Sequence, residues 1–160
     1  MAKKSKKTRG SNQFSGIAGE YYVAAELSRR KAIATLTSKN TAGIDILAAD
    51  NIGKKTVAIQ VKTSRSESGG VIIGDSKQIP RSAYYVFVLL KDGFSPDYWI
   101  VPQPIVSQIV EKEWKNWIKV GPASRQRAPK TLNWKKHLRS VEFEQYHNDN
   151  GWNILGIIKK

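Results

Sequence analysis

The chain contains no cysteine. Disulfides and thiolate metal ligands are therefore excluded, and a zinc site loses its commonest donors. Histidine is nearly absent as well. His137 and His147 are the only two, and both lie far along the chain from the acidic set identified below. They read as surface or phosphate-contacting residues. Carboxylates are scarce: 13 Asp and Glu stand against 27 Lys and Arg. No apolar run approaches the length of a membrane-spanning helix. The charged N-terminus lacks the apolar segment of a signal peptide. A cytoplasmic location is the expectation these features favour. Gly19, Gly69 and Gly70 form no phosphate-loop pattern, which argues against an ATPase.

What is present is positive charge, a formal net of +14. A polyanionic partner follows, with nucleic acid as the default and a merely soluble basic protein as the alternative. A basic amphipathic helix that would favour a membrane surface is not evident. The chain has 160 residues, 40% of them hydrophobic, enough for one domain with a real core. Residues 1–13 carry Lys3, Lys4, Lys6, Lys7 and Arg9 and read as a disordered basic tail, either along a phosphate backbone or simply solvated. Residues 14–160 read as a single domain.

The chain is organised around Gly43 to Ser64, GIDILAADNIGKKTVAIQVKTS. Two β-rich runs flank an Asp50-Asn51-Ile52-Gly53 turn signal, so a hairpin is expected. Gln60 and Lys62 should leave one face of the second strand, and Ile59 and Val61 the other. Asp45 sits between two isoleucines, where a lone carboxylate is costly unless paired or holding a cation. Ahead of the hairpin, Ser15 to Arg30 has helical periodicity, with Ile17, Tyr21, Ala24, Ala25, Leu27 and Ser28 as its apolar stripe. Glu20 falls inside that stripe. It is either a boundary residue paired with a lysine or an acid delivered from the helix to the strand site. A short strand is expected over Ala34 to Ser38.

Beyond the hairpin, Thr63 to Lys77 is Ser- and Gly-rich and reads as a loop or a mobile-tipped hairpin. Tyr84 to Leu90, YYVFVLL, reads as a strand buried on both faces. Tyr98 to Val101 is the next strand, and Pro104 suits the first turn of a helix ended by Gly121-Pro122. Residues 122–136 are basic and turn-rich, with Arg125, Arg127 and Lys130. A weak helical pattern follows near Trp134 to Tyr146, then an apolar patch from Trp152 to Leu155. The five tryptophans all lie in the second half and suit packing better than stacking on unpaired bases. The order of elements predicts an α/β fold, a mixed sheet flanked by helices with a helical C-terminal part.

Glu20, Asp45, Gln60 and Lys62 are the acid-plus-lysine set this arrangement brings together. Hard oxygen donors suit Mg²⁺, with the Val61 carbonyl as a further ligand. The metal would activate a water and offset phosphate charge, and Lys62 would assist the nucleophile. In these motifs, GIAGEYYVAAELSRR with Glu20, NTAGIDIL with Asp45 and AIQVKTS with Gln60 and Lys62, the chain resembles the PD-(D/E)XK nuclease superfamily, the restriction-endonuclease-like fold that includes archaeal Holliday-junction resolvases. The resemblance spans about residues 15–64. It implies a Mg²⁺-dependent DNA endonuclease, with Mn²⁺ as substitute, in which Asp45 is the central metal ligand, Lys62 the lysine of the final motif and Glu20 the helical acid. Arg65 joins the tail and the 122–136 segment as an expected phosphate contact. Two departures stand out: Gln60 replaces the usual Glu or Asp, and Gly43-Ile44 stands where Pro often precedes the Asp. Loss of that carboxylate makes an inactive nucleic-acid-binding module on the same fold the alternative. A homodimer is suggested only because two cuts on a duplex call for two sites.

Overall fold

The computed structural model describes residues 9–38, 43–68, 70–74, 80, 83–122 and 130–158. Helix α1 (Arg9–Arg29) leads into β1 (Ile33–Leu36), β2 (Ile46–Ala49) and β3 (Thr56–Ser64). After β4 (Gly70–Ile72) come β5 (Tyr84–Lys91), β6 (Phe94–Pro102), α2 (Gln103–Lys119), β7 (Thr131–Asn133) and the short α3 (Asn148–Ile154). Five strands form the main sheet in the order β1-β2-β3-β5-β6, and β4 pairs with β7 in a separate two-stranded sheet. Every neighbouring pair of the main sheet is antiparallel except β3–β5. The sheet is thus mixed and flanked by helices, as the order of elements predicts.

The hairpin forms as its sequence leads one to expect. Gly53 takes φ +71°, a value that favours glycine, and the Asp50 carboxylate accepts the Lys54 N–H at 2.8 Å. In β5, Tyr85 through Leu90 are all buried, because strands flank it on both sides and helices cover both of its faces. On one face Val57, Ile59, Val61, Val86, Val88 and Ile100 pack with Val23 and Leu27 of α1 and Trp152 of α3. On the other face Tyr85, Phe87, Leu89, Trp99 and Val101 pack with Val106 and Val110 of α2 and with Leu132, Trp134 and Phe143. Each fully buried side chain of this size contributes roughly 1.5–3 kcal/mol.

Four expectations are adjusted. Helix α1 begins at Arg9, so residues 9–13, read as tail, belong to its first turns. Gly10 and Ser11 are weak helix formers, and nothing local explains that early start. The buried stripe of α1 is Ser15, Gly19, Val23 and Leu27, whereas Tyr21 is 62% exposed. The strand read over Ala34 to Ser38 runs from Ile33 to Leu36 at the sheet edge. The weak helical pattern after Trp134 resolves into one wide helical turn (Trp134–Leu138), a 3-10 segment (Val141–Tyr146) and α3. Arg30 ties the end of α1 to α3 through an ion pair with Asp149, and its guanidinium lies 5.5 Å from the Trp152 ring centroid.

Candidate active site

Asp45 stands just before β2, at the point where the main sheet forks. The β1–β2 pairing ends at Leu36–Ile46 and the β2–β3 pairing at Ile46–Ile59, while β3 runs on to Ser64. Continuing that register would set Asp45 opposite Gln60. Instead the Asp45 N–H donates to the Ile59 carbonyl at 2.9 Å, one rung short, as in a β-bulge. Such offsets re-aim a side chain. Here the carboxylate turns along the sheet edge, and Oδ2 accepts the Val61 N–H at 2.7 Å. The Asp45 carbonyl in turn accepts the Thr37 N–H at 2.9 Å, and the Thr37 hydroxyl donates to the Ile44 carbonyl. Gly43 enters this segment at φ +73°, a conformation that favours glycine.

Gln60 and Lys62 are half-buried and alternate with buried Ile59 and Val61, as strand periodicity predicts. Their β5 partners, Tyr85 and Phe87, belong to the face covered by α2. Burial pushes the Lys62 ammonium pKa down, and the nearby Asp45 carboxylate opposes that shift without cancelling it. The neutral amine is therefore more accessible at Lys62 than at a solvated lysine. Asp45 thus lies close enough to Lys62 for its charge to act on the ammonium.

Glu20 comes from the other face. Helix α1 packs on the Ile59 and Val61 side, across the sheet from Gln60 and Lys62. It comes close to β3 at Gly19, where an added Cβ would land on the Thr63 hydroxyl and methyl. The Arg65 Nε donates to Ser15 Oγ at 3.0 Å, so α1 runs back along β3 with Glu20 half-buried at its C-terminal half. Among the described residues, no three His, Asp or Glu side chains gather as a metal-holding group. The candidate set carries two carboxylates, Glu20 and Asp45, with an amide in the third place.

The expected phosphate contacts divide. Lys3, Lys4, Lys6, Lys7, Arg125 and Arg127 lie outside the described residues. Arg9 opens α1. Arg65 is exposed at the end of β3, tied to Ser15 and to Asp92. Lys130 is paired with Glu111 and sits 4.9 Å over the Trp114 ring. His137 approaches Glu113, and His147 stacks on Trp99 at 4.5 Å between centroids, so both are occupied within the fold. Sequence reading missed Thr37, which anchors both sides of the Asp45 segment, and it missed the Gly19–Thr63 approach. No sequence pattern announces Thr37. An interior helical glycine, however, is a readable sign of close packing.

Comparison with known proteins adds a structural likeness of low similarity. No protein-family model matches the chain, and no curated protein matches it. A solved structure, the 1.6 Å structure of Archaeoglobus fulgidus Hjc, a Holliday junction resolvase from an archaeal hyperthermophile, is similar at 19% identity. The alignment covers 56% of this chain and 74% of that one, with a TM-score of 0.42. Among the described residues, no helix is long and apolar enough to cross a membrane.

Proposed function

We propose that the chain is a metal-dependent DNA endonuclease that hydrolyses phosphodiester bonds through Glu20, Asp45, Gln60 and Lys62. The observation that carries this reading is the Asp45–Lys62 pair at the fork of the sheet. Burying a lysine beside the end of a ladder costs stability, and a displaced amine pKa next to an anchored carboxylate is the pattern of a working site.

The donors suit Mg²⁺, with Mn²⁺ as substitute. Asp45 uses Oδ2 for Val61 and has Oδ1 left for a cation. In a strand, a residue's N–H and C=O turn to the same side, so the Val61 carbonyl faces the same edge as its N–H. Gln60 adds an amide oxygen and Glu20 the second carboxylate. All are hard oxygen donors, and Mg²⁺ uses one or two protein carboxylates. When bound, the ion supplies Lewis acidity toward a water and a phosphate oxygen. Gln60 orients the water. The Lys62 amine would take the proton that the water loses as its oxygen bonds to phosphorus; the P–O ester bond would break, and the leaving oxygen would take a proton from solvent to depart as an alcohol. Lysines and arginines of the tail and of residues 122–136 hold flanking phosphates, in keeping with the net charge of +14.

Purified protein should nick or cut DNA in a panel of linear duplex, single strand, flap and four-way junction, each with and without Mn²⁺. Asp45→Ala and Lys62→Ala should each abolish cutting. If both variants cut as the parent does, the site assignment fails.

Gln60 favours a second reading, a binding module whose catalysis has been lost. Binding would need no divalent ion, and log K would fall with log salt by about 0.9 per phosphate contact on duplex DNA. Calorimetric Mg²⁺ or Mn²⁺ binding that disappears in Asp45→Ala would exclude it.

A further inference from the structure

Asp45 is the residue at which the ladder changes sides. Its carbonyl turns to β1 and accepts the Thr37 N–H, and its N–H turns to β3 and donates to the Ile59 carbonyl, both at 2.9 Å. In a regular strand a residue's N–H and C=O turn to the same side. One peptide plane has therefore rotated out of the ladder, the plane that joins Ile44 to Asp45. Its N–H end is held by Ile59 on β3. Its C=O end is held from the opposite side by the Thr37 hydroxyl. The peptide is trans and planar, so its N–H and C=O point in opposite directions. Two bonds from opposite sides thus fix its rotation.

That rotation sets where the Asp45 side chain points. The plane carries the Asp45 nitrogen, so the Cα and the carboxylate swing with it. At the present setting Oδ2 reaches the Val61 N–H at 2.7 Å. Thr37 lies one residue past the end of β1, at the edge of the sheet. It is half-buried, whereas Thr35 on the same strand is exposed. Threonine and valine are alike as β-branched strand formers and differ by one hydroxyl. At Thr37 that hydroxyl donates to the carbonyl that immediately precedes the Asp45 nitrogen. Its bond therefore acts on Asp45 without touching the carboxylate.

We infer that Thr37 is a positioning residue: its hydroxyl sets the 44–45 peptide plane and, through it, the aim of the Asp45 carboxylate and the affinity of the site for a divalent cation. The cation part rests on the nuclease reading, and the aim of Asp45 does not. Groups that hold a ligand in place, without being ligands, commonly change metal affinity by about 10–100-fold when removed. Thr37→Val is the informative change. It keeps the strand-forming shape and the backbone N–H that bonds Asp45, and it removes the hydroxyl. Thr37→Ser keeps the hydroxyl and should restore the parent's behaviour.

The test reads the Val61 amide by NMR in the full chain, in EDTA, so that neither metal nor cleavage plays a part. An amide that donates to a carboxylate makes a short, charge-assisted bond and resonates downfield. In Thr37→Val the Val61 amide proton should move upfield. Its exchange protection, relative to the core amides of Val86 and Ile100, should fall by about 10-fold or more, the scale of one loosened bond to a charged acceptor. Thr37→Ser should keep both near the parent values, and so should Thr35→Val, the same exchange at an exposed site of β1. Calorimetry with Mn²⁺ alone should then show affinity about 10-fold or more weaker in Thr37→Val, with Thr37→Ser close to the parent. The inference is overturned if the Val61 amide is unchanged in Thr37→Val, if Thr37→Ser or Thr35→Val disturbs it as much, or if it moves while Mn²⁺ binds Thr37→Val and the parent equally. A parent that binds no Mn²⁺ sinks the metal-dependent reading, and the Val61 amide still decides whether Thr37 aims Asp45.

Discussion

The Asp45 carboxylate accepts the backbone N–H of Val61 at 2.7 Å, where β2 has ended and β3 continues. One oxygen thus completes the ladder, and the other makes no hydrogen bond among the described residues. Structure and charge can be separated by substitution. Asp45→Ala should leave a half-buried N–H without its acceptor and cost about 1–3 kcal/mol of stability. Asp45→Asn keeps an acceptor oxygen and should unfold close to the parent in urea. Both should lose cleavage, by about 100-fold or more if one charged group at a phosphoryl-transfer centre is removed. An Asp45→Asn protein that is stable and fully active would show that the carboxylate serves the fold alone.

Much of this site was legible before the structure. The hairpin follows from Gly53 and two β-rich runs, and the shared face of Gln60 and Lys62 follows from the period of a strand. The burial of Tyr85 to Leu90 follows from an unbroken apolar run. What was not legible depends on contacts distant in sequence. β4 exists because Gly70 to Ile72 meets Thr131 to Asn133, some sixty residues later. The buried face of α1 was misplaced because apolarity selected Tyr21, whereas close approach to β3 selected the small residues Ser15 and Gly19. The in-plane turn of Asp45 depends on a one-rung offset that no residue pattern encodes.

Lys62 gives a signed dependence on pH. Burial lowers its pKa in the folded state, so the folded chain disfavours the charge that the unfolded chain, near 10.5, carries freely. The cost is fully present below the folded pKa. It shrinks as pH rises through that value and is gone above the unfolded one. Lys62→Met should therefore raise the Tm at pH 7, and the gain should narrow steadily toward pH 10.5. A difference in Tm that is flat from pH 7 to the alkaline limit would refute the assignment.

Gln60 should be a tunable position. Gln60→Glu places a third carboxylate near Asp45, which repels without a cation and binds one more tightly with it. The variant should be less stable than the parent in EDTA. It should gain more Tm on addition of Mg²⁺ or Mn²⁺, since a ligand bound only by the folded chain stabilises it as RT ln(1 + [L]/Kd). Equal metal-dependent shifts in parent and variant would place Gln60 outside the ion's reach.

Gly19 and Thr63 should be energetically coupled. A Cβ at residue 19 meets the Thr63 hydroxyl and methyl, and the hydroxyl is buried without a partner among the described residues. Gly19→Ala adds helix propensity, roughly 1 kcal/mol in a free helix, but overpacking of this kind costs about 1–3 kcal/mol. The net effect should be destabilising. Thr63→Ala removes the obstructing hydroxyl, which is also unsatisfied, and the methyl, and leaves only its own Cβ at 3.0 Å, so it should cost little alone. In the double variant the propensity gain is released while α1 keeps its seat against β3. The two changes should therefore depart from additivity by about 0.5–3 kcal/mol in urea unfolding, in the stabilising direction. Additive effects would mean that α1 lifts from β3 at this point. Glu20, the next residue, would then be carried by a looser helix than the candidate site requires.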